Sequence, residues 1–274
     1  MNMKKALKIS AFIIALLLII GVCSFADSLV GNPVSKAIAW YSAEKHINNE
    51  YSDKDFEIEK VIYNFKDGNY HAFIYSPTSI DSDFTVVVDM WGNVKNDSYA
   101  DRVTSGWNVA DRIRSEYRAV VDSVIDSKSF PYSTYIGFGD FDFYPREHLE
   151  THTVEEHAII TEDLIPDAFY NLNDLGEKHG RLTLYVEDDT VTIERLTEIM
   201  LDVKNIFDNA GVKFYIADIV LEYPRSDEGK RKEGRVEVMD FLCSDIYEDG
   251  LSERVYQANE AAKAYYEEED KRKN

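Results

Sequence analysis

Three histidines fall close together in His148-Leu149-Glu150-Thr151-His152-Thr153-Val154-Glu155-Glu156-His157. An i, i+4 pair on a helix with a third imidazole nearby has the residue types of a zinc site, and Glu155 or Glu156 could act as the base of a hydrolase. The spacing matches neither H-E-x-x-H nor H-x-x-E-H, because an extra residue separates His152 from the Glu-His pair. A solvated, acid-rich helix face accounts for the same residues. His148, His152 and His157 are therefore metal-ligand candidates only for an alternative function, a metal-dependent hydrolase; the leading expectation has no metal, no cofactor and no catalytic residue.

Other spacings lead away from catalysis. Asp53-Lys54-Asp55 and Asp81-Ser82-Asp83 have short acidic intervals, but a calcium loop needs about six oxygen ligands and a glycine in its turn, so both are read as turn and strand-entry residues. Gly137-Phe138-Gly139-Asp140 lacks the third glycine and the helix start of a nucleotide fingerprint. Neither G-x-S-x-G nor a P-loop occurs. Cys243, in Phe241-Leu242-Cys243, reads as a small apolar residue rather than a nucleophile. Tyr132, Tyr135, Phe138, Phe141, Phe143 and Tyr144 lie within thirteen positions. Exposed together they would mark a ligand or partner surface, and buried they would fill the seam between two domains. Tyr132, Tyr135, Phe138 and Phe141 are the candidate binding surface.

The elements that must position these residues form two α+β layers. Asn32 before Pro33 starts a helix running to about Asn49 and burying Trp40, Ala43, Ile47 and Tyr51. Strands follow over Phe56 to Phe65, Asn69 to Tyr75 and Phe84 to Met90, the first two joined at Asp67-Gly68, a hairpin signal. A helix then covers Trp107 to Asp126. Further on, a helix from Pro166 to Lys178 buries Phe169, Leu172 and Leu175, and a strand spans Leu182 to Val186. A helix capped at Thr190 or Thr192 ends at Gly211, followed by a strand from Val212 to Tyr223 whose alternation slips at Ala217-Asp218 and suggests a bulge. A strand at Val236 to Phe241 and a final helix complete a β-α-β-β-α run, a ferredoxin-like layer. The expected division is 1–27 signal anchor or signal peptide, 28–126 membrane-proximal domain and 127–274 C-terminal domain.

The amino terminus sets the expected compartment. Lys4, Lys5 and Lys8 precede an uncharged stretch from Ile9 to Ala26, and Asp27 follows at once. At ~1.5 Å per residue this stretch can just cross a ~30 Å bilayer core, with the amino terminus inside. Three fates fit it: an uncleaved transmembrane anchor, cleavage after Ser24-Phe25-Ala26, or lipidation at Cys23, where Val22 departs from the lipobox pattern. Each places the bulk outside the cytoplasm.

The chain has 274 residues, 30 Lys+Arg, 51 Asp+Glu and a net charge of -21. Setting aside the three lysines of residues 1–26 leaves 27 basic against 51 acidic residues, a net charge of -24. Such acidity excludes nucleic acid as a partner, since phosphates need a basic face. With 45% hydrophobic residues the chain has ample material for a core.

The anchor, Gly31-Asn32-Pro33-Val34-Ser35-Lys36, the helix end Asn48-Asn49-Glu50-Tyr51, Tyr63-Asn64-Phe65-Lys66-Asp67-Gly68-Asn69-Tyr70 and Phe84 together resemble the YfjL-like family of Gram-positive cell-envelope proteins. The resemblance covers residues 1–126 best and the region from Gly180 to Tyr223 more loosely. It implies a membrane-proximal and a distal domain and brings no catalytic residue. The membrane-proximal part is also similar in element order to cystatin-like and PepSY modules. The expectation is thus a non-enzymatic binding module anchored in a bacterial membrane through residues 9–26, with an envelope protein, peptide or polymer as partner. A secreted or lipidated form is the alternative location.

Overall fold

The structure, a computed structural model, describes residues 3–226 and 228–273. The first helix, α1, runs Met3–Val30 and contains the uncharged stretch from Ile9 to Ala26. Its large apolar side chains, including Phe12, Ile13, Ile14, Leu16, Leu17, Leu18 and Ile19, are exposed. Among the described residues no helix is long and apolar enough to cross a membrane.

The chain divides into two compact units, Met1–Asn108 and Val109–Asn274. In the first, helix α2 (Pro33–Glu50) begins where the sequence places it, with Asn32 Oδ1 accepting from the Ser35 amide at 2.8 Å. Gly31 adopts φ +71°, and the Tyr70 hydroxyl accepts from the Asn32 amide at 2.8 Å and donates to its carbonyl at 3.1 Å. Gly31-Asn32-Pro33 is therefore a locked joint: the glycine makes a turn that a side chain would strain, and the asparagine caps the next helix.

Strands β1 (Glu57–Asn64), β2 (Asn69–Ser76), β3 (Ser79–Val88) and β4 (Val94–Asp97) form an antiparallel sheet in that order. The expected hairpin at Asp67-Gly68 is present, with Asp67 Oδ1 accepting from the Asn69 amide at 3.0 Å. β4 was not expected, and β3 starts earlier than Phe84. α2 packs on this sheet through Ser35, Ala39, Ala43 and Ile47, spaced one turn apart. Trp40, expected inside, is 37% exposed. Helical spacing allowed either Trp40 or Ala39 on the inner face, and the small residue lets the backbone approach the sheet closely.

The second unit holds α3 (Trp107–Ile125, from Val109 onward), β5 (Ser133–Phe141), the short strands β6 (Phe143–Tyr144) and β7 (Ile159–Ile160), and α4 (His148–Thr151). It continues with α5 (Leu172–His179), β8 (Gly180–Glu187), α6 (Ile193–Ala210), β9 (Ile216–Glu222), β10 (Arg235–Leu242) and α7 (Leu251–Lys273). The main sheet has the order β10-β9-β8-β5, with β8 and β9 parallel and the other pairs antiparallel. The run β8-α6-β9-β10-α7 matches the expected β-α-β-β-α order. It is not a ferredoxin-like split, because β8 and β9 are hydrogen-bonded neighbours with no strand between them. The units part upstream of the expected 126/127 boundary, because the inner face of α3 belongs to the second core: Tyr117 packs against Phe141 with ring centroids 4.5 Å apart.

β9 is buried at every position. The slip at Ala217-Asp218 is therefore not a bulge in β9 but a buried acid in a strand covered on both faces. The register shift lies opposite, in β10 between Val238 and Phe241. Tyr117 is likewise enclosed. Its hydroxyl donates to the Lys213 carbonyl at 2.7 Å, and Gly139, Gly176 and Gly180 surround its ring and hydroxyl. A Cβ on Gly180 would lie 2.5 Å from the Tyr117 hydroxyl, and one on Gly139 would lie 2.8 Å from the ring. Burial pushes the Tyr117 phenol pKa upward.

Candidate functional site

The four aromatics expected to form one surface separate because a strand alternates its faces. Phe141 points into the core of the second unit and is buried. Each of the other three lies beneath an arginine. Arg118 sits 4.8 Å from the Phe138 ring, Arg231 4.8 Å from Tyr135 and Arg195 5.9 Å from Tyr132. The two tyrosines are also tied by their hydroxyls, Tyr132 to Asp202 at 2.7 Å and Tyr135 to Glu222 at 2.8 Å. Burial first, and then the Asp202 carboxylate, push the Tyr132 phenol pKa upward. These rings form no open aromatic groove: Tyr132, just before β5, is held by Arg195 and Asp202 of α6, and Tyr135 and Phe138 belong to a skin of alternating arginine, ring and carboxylate.

That skin covers the face of the main sheet opposite α3. Along β8, Arg181, Thr183, Tyr185 and Glu187 alternate with the fully buried Leu182, Leu184 and Val186. Arg181 is its first hub. Its guanidinium bonds Asp142 at 2.9 Å, Asp218 at 2.7 Å and Asp240 at 2.7 Å. Asp142 also meets His157 Nε2 at 2.9 Å, and the His157 carbonyl contacts His179 Nδ1 at 2.7 Å. Burial disfavours a charged Asp142, but hydrogen bonds from Arg181 and His157 outweigh it and hold its pKa below the usual carboxylate range. Asp218 goes the other way, because its deeper burial raises its pKa despite the Asp240 amide and Arg181. Arg231 is the second hub, paired with Glu187 at 3.0 Å and with Glu222, while Arg235 pairs with Glu237. Glu222 and Glu237 are buried.

Both edges of this sheet carry charged or capping groups. Phe138 and Asp140 lie on the face away from α3, so Arg118 and Arg114 reach around β5 to meet them, Arg114 Nε bonding Asp140 at 2.8 Å. At β10 the edge amide of Glu237 donates to Asn259 of α7 at 3.0 Å. Charged and capped edges of this kind discourage the addition of another strand.

The histidines do not assemble. The rings of His148 and His152 are stacked 4.1 Å apart, with Tyr144 on His148 at 4.9 Å, while His157 is buried against Asp142. Among the described residues, no three His, Cys, Asp or Glu side chains are placed to hold a metal ion. Cys243 is half-buried beside Lys204, Lys213 and Phe214 in a hollow of about 260 Å³. Burial pushes its thiol pKa upward.

The feature best suited to binding was expected to be buried. Phe169 is 93% exposed, in the turn before α5 rather than inside a helix starting at Pro166. The turn is held firmly. Asp167 takes φ 61°, the Tyr170 hydroxyl accepts from the Ile165 amide at 2.7 Å, and Arg112 donates to the Ala168 carbonyl at 3.1 Å. Phe169 lines an open, mainly apolar groove of about 370 Å³ together with Glu116, Val120, Tyr170, Leu172 and Val212. A fixed, fully solvated phenylalanine next to a groove suits a partner surface. The sequence signal was the Pro166-Asp167 turn pair, which outweighs the apolar spacing.

Fold and site together define a two-domain α+β protein with a closed, ion-paired sheet face and a rigid apolar tip. The chain belongs to the YfjL-like family. The YfjL-like, N-terminal domain matches residues 3–102, and the YfjL-like C-terminal domain matches residues 116–256. No curated protein matches the chain. A crystal structure of a DUF5037 family protein from Ruminococcus gnavus ATCC 29149 at 2.55 Å resolution is 14% identical and covers 67% of this chain and 74% of its own. Its TM-score of 0.20 is too low to equate the two folds.

Proposed function

We propose that this protein is a non-enzymatic binding module of a bacterial cell envelope, anchored in the membrane by α1 with both α+β domains outside the cytoplasm. The observation that carries the location is α1 itself. Phe12, Ile13, Ile14, Leu16, Leu17, Leu18 and Ile19 cover every side of the helix and are all exposed. A helix apolar all round belongs in a core or a bilayer, and exposure argues against a core. Lys4, Lys5 and Lys8 before the uncharged stretch and Asp27 after it favour an inside amino terminus. Binding rather than chemistry is favoured because the arginines of the sheet face are engaged by carboxylates, while Phe169 and its groove stand open.

Fractionation of cells making the full chain tests the location. The protein should sediment with membranes, resist a salt wash and be cut by protease added to protoplasts. Removing residues 1–30 should release it. A full-length chain found in the soluble cytoplasmic fraction sinks the reading. Intact mass separates an uncleaved anchor from cleavage after Ala26 or lipidation at Cys23. For binding, a photoreactive residue at position 169 should give a discrete adduct in intact envelopes, with none from the closed sheet face at Thr183; the reverse pattern would remove the groove from consideration.

A further inference from the structure

The first domain carries an apolar surface that its core does not use. On α2, Val34, Ile38 and Tyr41 are exposed on the side away from Ala39 and Ala43. The turn between β3 and β4 packs against Ile38 and Ser42 of this helix. Gly92 takes φ +90°, and a Cβ there would lie 2.8 Å from Ile38 Cγ2 and 2.7 Å from Ser42 Oγ. This turn presents Trp91, 78% exposed, with Met90 beside it. Trp91 is held outward: Asp89 Oδ1 accepts from the Trp91 and Asn93 amides, both at 2.9 Å, and the Asp89 amide donates to the Asn93 carbonyl at 2.9 Å. Folding has ordered the backbone that displays the indole and left the indole in water.

We propose that this surface rests on the lipid headgroups of the membrane that α1 enters, so that the first domain lies against the bilayer rather than standing off from it. The proposal rests on the reading of α1 as the membrane segment. Three observations select a lipid surface. The patch continues the exposed apolar end of α1, Leu29 and Val30, across the locked Gly31-Asn32 joint. Its residue types, Trp and Tyr with aliphatic neighbours, are those that settle at a membrane–water interface. Its charge is also compatible: Pro33 to Glu50 holds two lysines and two glutamates, whereas residues 27–274 together carry -24. A strongly acidic patch would be repelled by anionic lipid, and this segment is neutral with Lys36 exposed.

The test uses the full chain with Trp40→Phe and Trp107→Phe, leaving Trp91 as the reporter. It is reconstituted in phosphatidylcholine–phosphatidylglycerol vesicles with and without bromine on the acyl chains. Trp91 fluorescence should be quenched roughly twofold by the brominated lipid, as expected for an interfacial indole. The change Ile38→Glu with Tyr41→Ser should abolish the quenching while the chain still sediments with vesicles. Sedimentation without quenching overturns this proposal and leaves the anchor intact. Failure to sediment overturns both. Quenching that survives the double substitution, or a blue-shifted Trp91 in detergent that depends on protein concentration, overturns it in favour of another orientation or a second copy.

Discussion

The two domains of this chain solve the same packing problem with different materials. In the first, α2 lies on its sheet through alanines, and Tyr51, Phe56, Phe84 and Tyr99 form an aromatic cluster with neighbouring centroids as close as 4.6 Å. In the second, an apolar core on one side of the sheet is backed on the other by arginines that each gather several carboxylates. Apolar contacts tolerate adjustment, whereas a buried charge stripped of its partner does not. The difference teaches that the second domain has single points of failure and the first has few.

The largest expected effect follows at the first hub. Arg181→Met leaves Asp142 and Asp218 without their cation and should cost about 3–5 kcal/mol. Hydrogen exchange should show β8 and β9 opening while β1 to β3 stay protected; equal loss in both sheets would mean that the domains do not fail separately. Gly176→Ala comes next, since the new Cβ would collide with the Lys213 carbonyl oxygen and the Tyr117 ring. Urea denaturation should register about 1–3 kcal/mol from this overpacking. In the first domain, Tyr70→Phe removes both hydrogen bonds at the Gly31-Asn32 joint and should cost about 1 kcal/mol. An unchanged midpoint would show that the joint is held by packing alone.

A pH series sharpens the comparison further. Asp142 is held below its ordinary pKa, so the stability it contributes is complete above the unfolded value of about 4 and is lost as pH falls through the lower folded value. Asp218, raised by burial, works in the opposite sense. The stability gap between wild type and Asp142→Asn should therefore narrow as the solution is acidified below pH ~4. A gap independent of pH would show that Asp142 is not ionised in the folded protein. The smallest effect is expected at Phe169→Ser, within ~0.5 kcal/mol of wild type, because an exposed side chain contributes little to folding. Its consequence should appear only in crosslinking yield.

Much of the first domain was legible in the sequence because its signals are local: the Asn32-Pro33 helix start, the Asp67-Gly68 turn and the β-branched run at Val86 to Val88. The polar face of the second domain was not. Asp142, Arg181, Asp218 and Asp240 come from separate segments and meet only through strand order. The one visible trace was Asp218 interrupting an apolar strand, which has the same appearance as a bulge. The aromatics of β5 were read as a group because composition counts neighbours, while the pleat sends Phe138 and Phe141 to opposite faces. Phe169 was misplaced because apolar spacing suggested a helix that the Pro166-Asp167 turn pair stops.

The enclosure of Tyr117 makes its neighbours interdependent in how they can vary. With the ring in place, β5, α5 and β8 must each present a position without a side chain. Once Tyr117→Ala empties the space, alanine should become easier at Gly139, where Val121 still lies close, whereas Gly180 should stay restricted by the Gly176 carbonyl oxygen and Cα, 2.7 and 2.8 Å from its Cβ position. Gly176 should remain intolerant, because its nearest obstacle is the Lys213 carbonyl oxygen and not the tyrosine. The order in which these substitutions arise would decide which of them survive: a lineage that lost the tyrosine first could fill Gly139, a position closed to one that kept it.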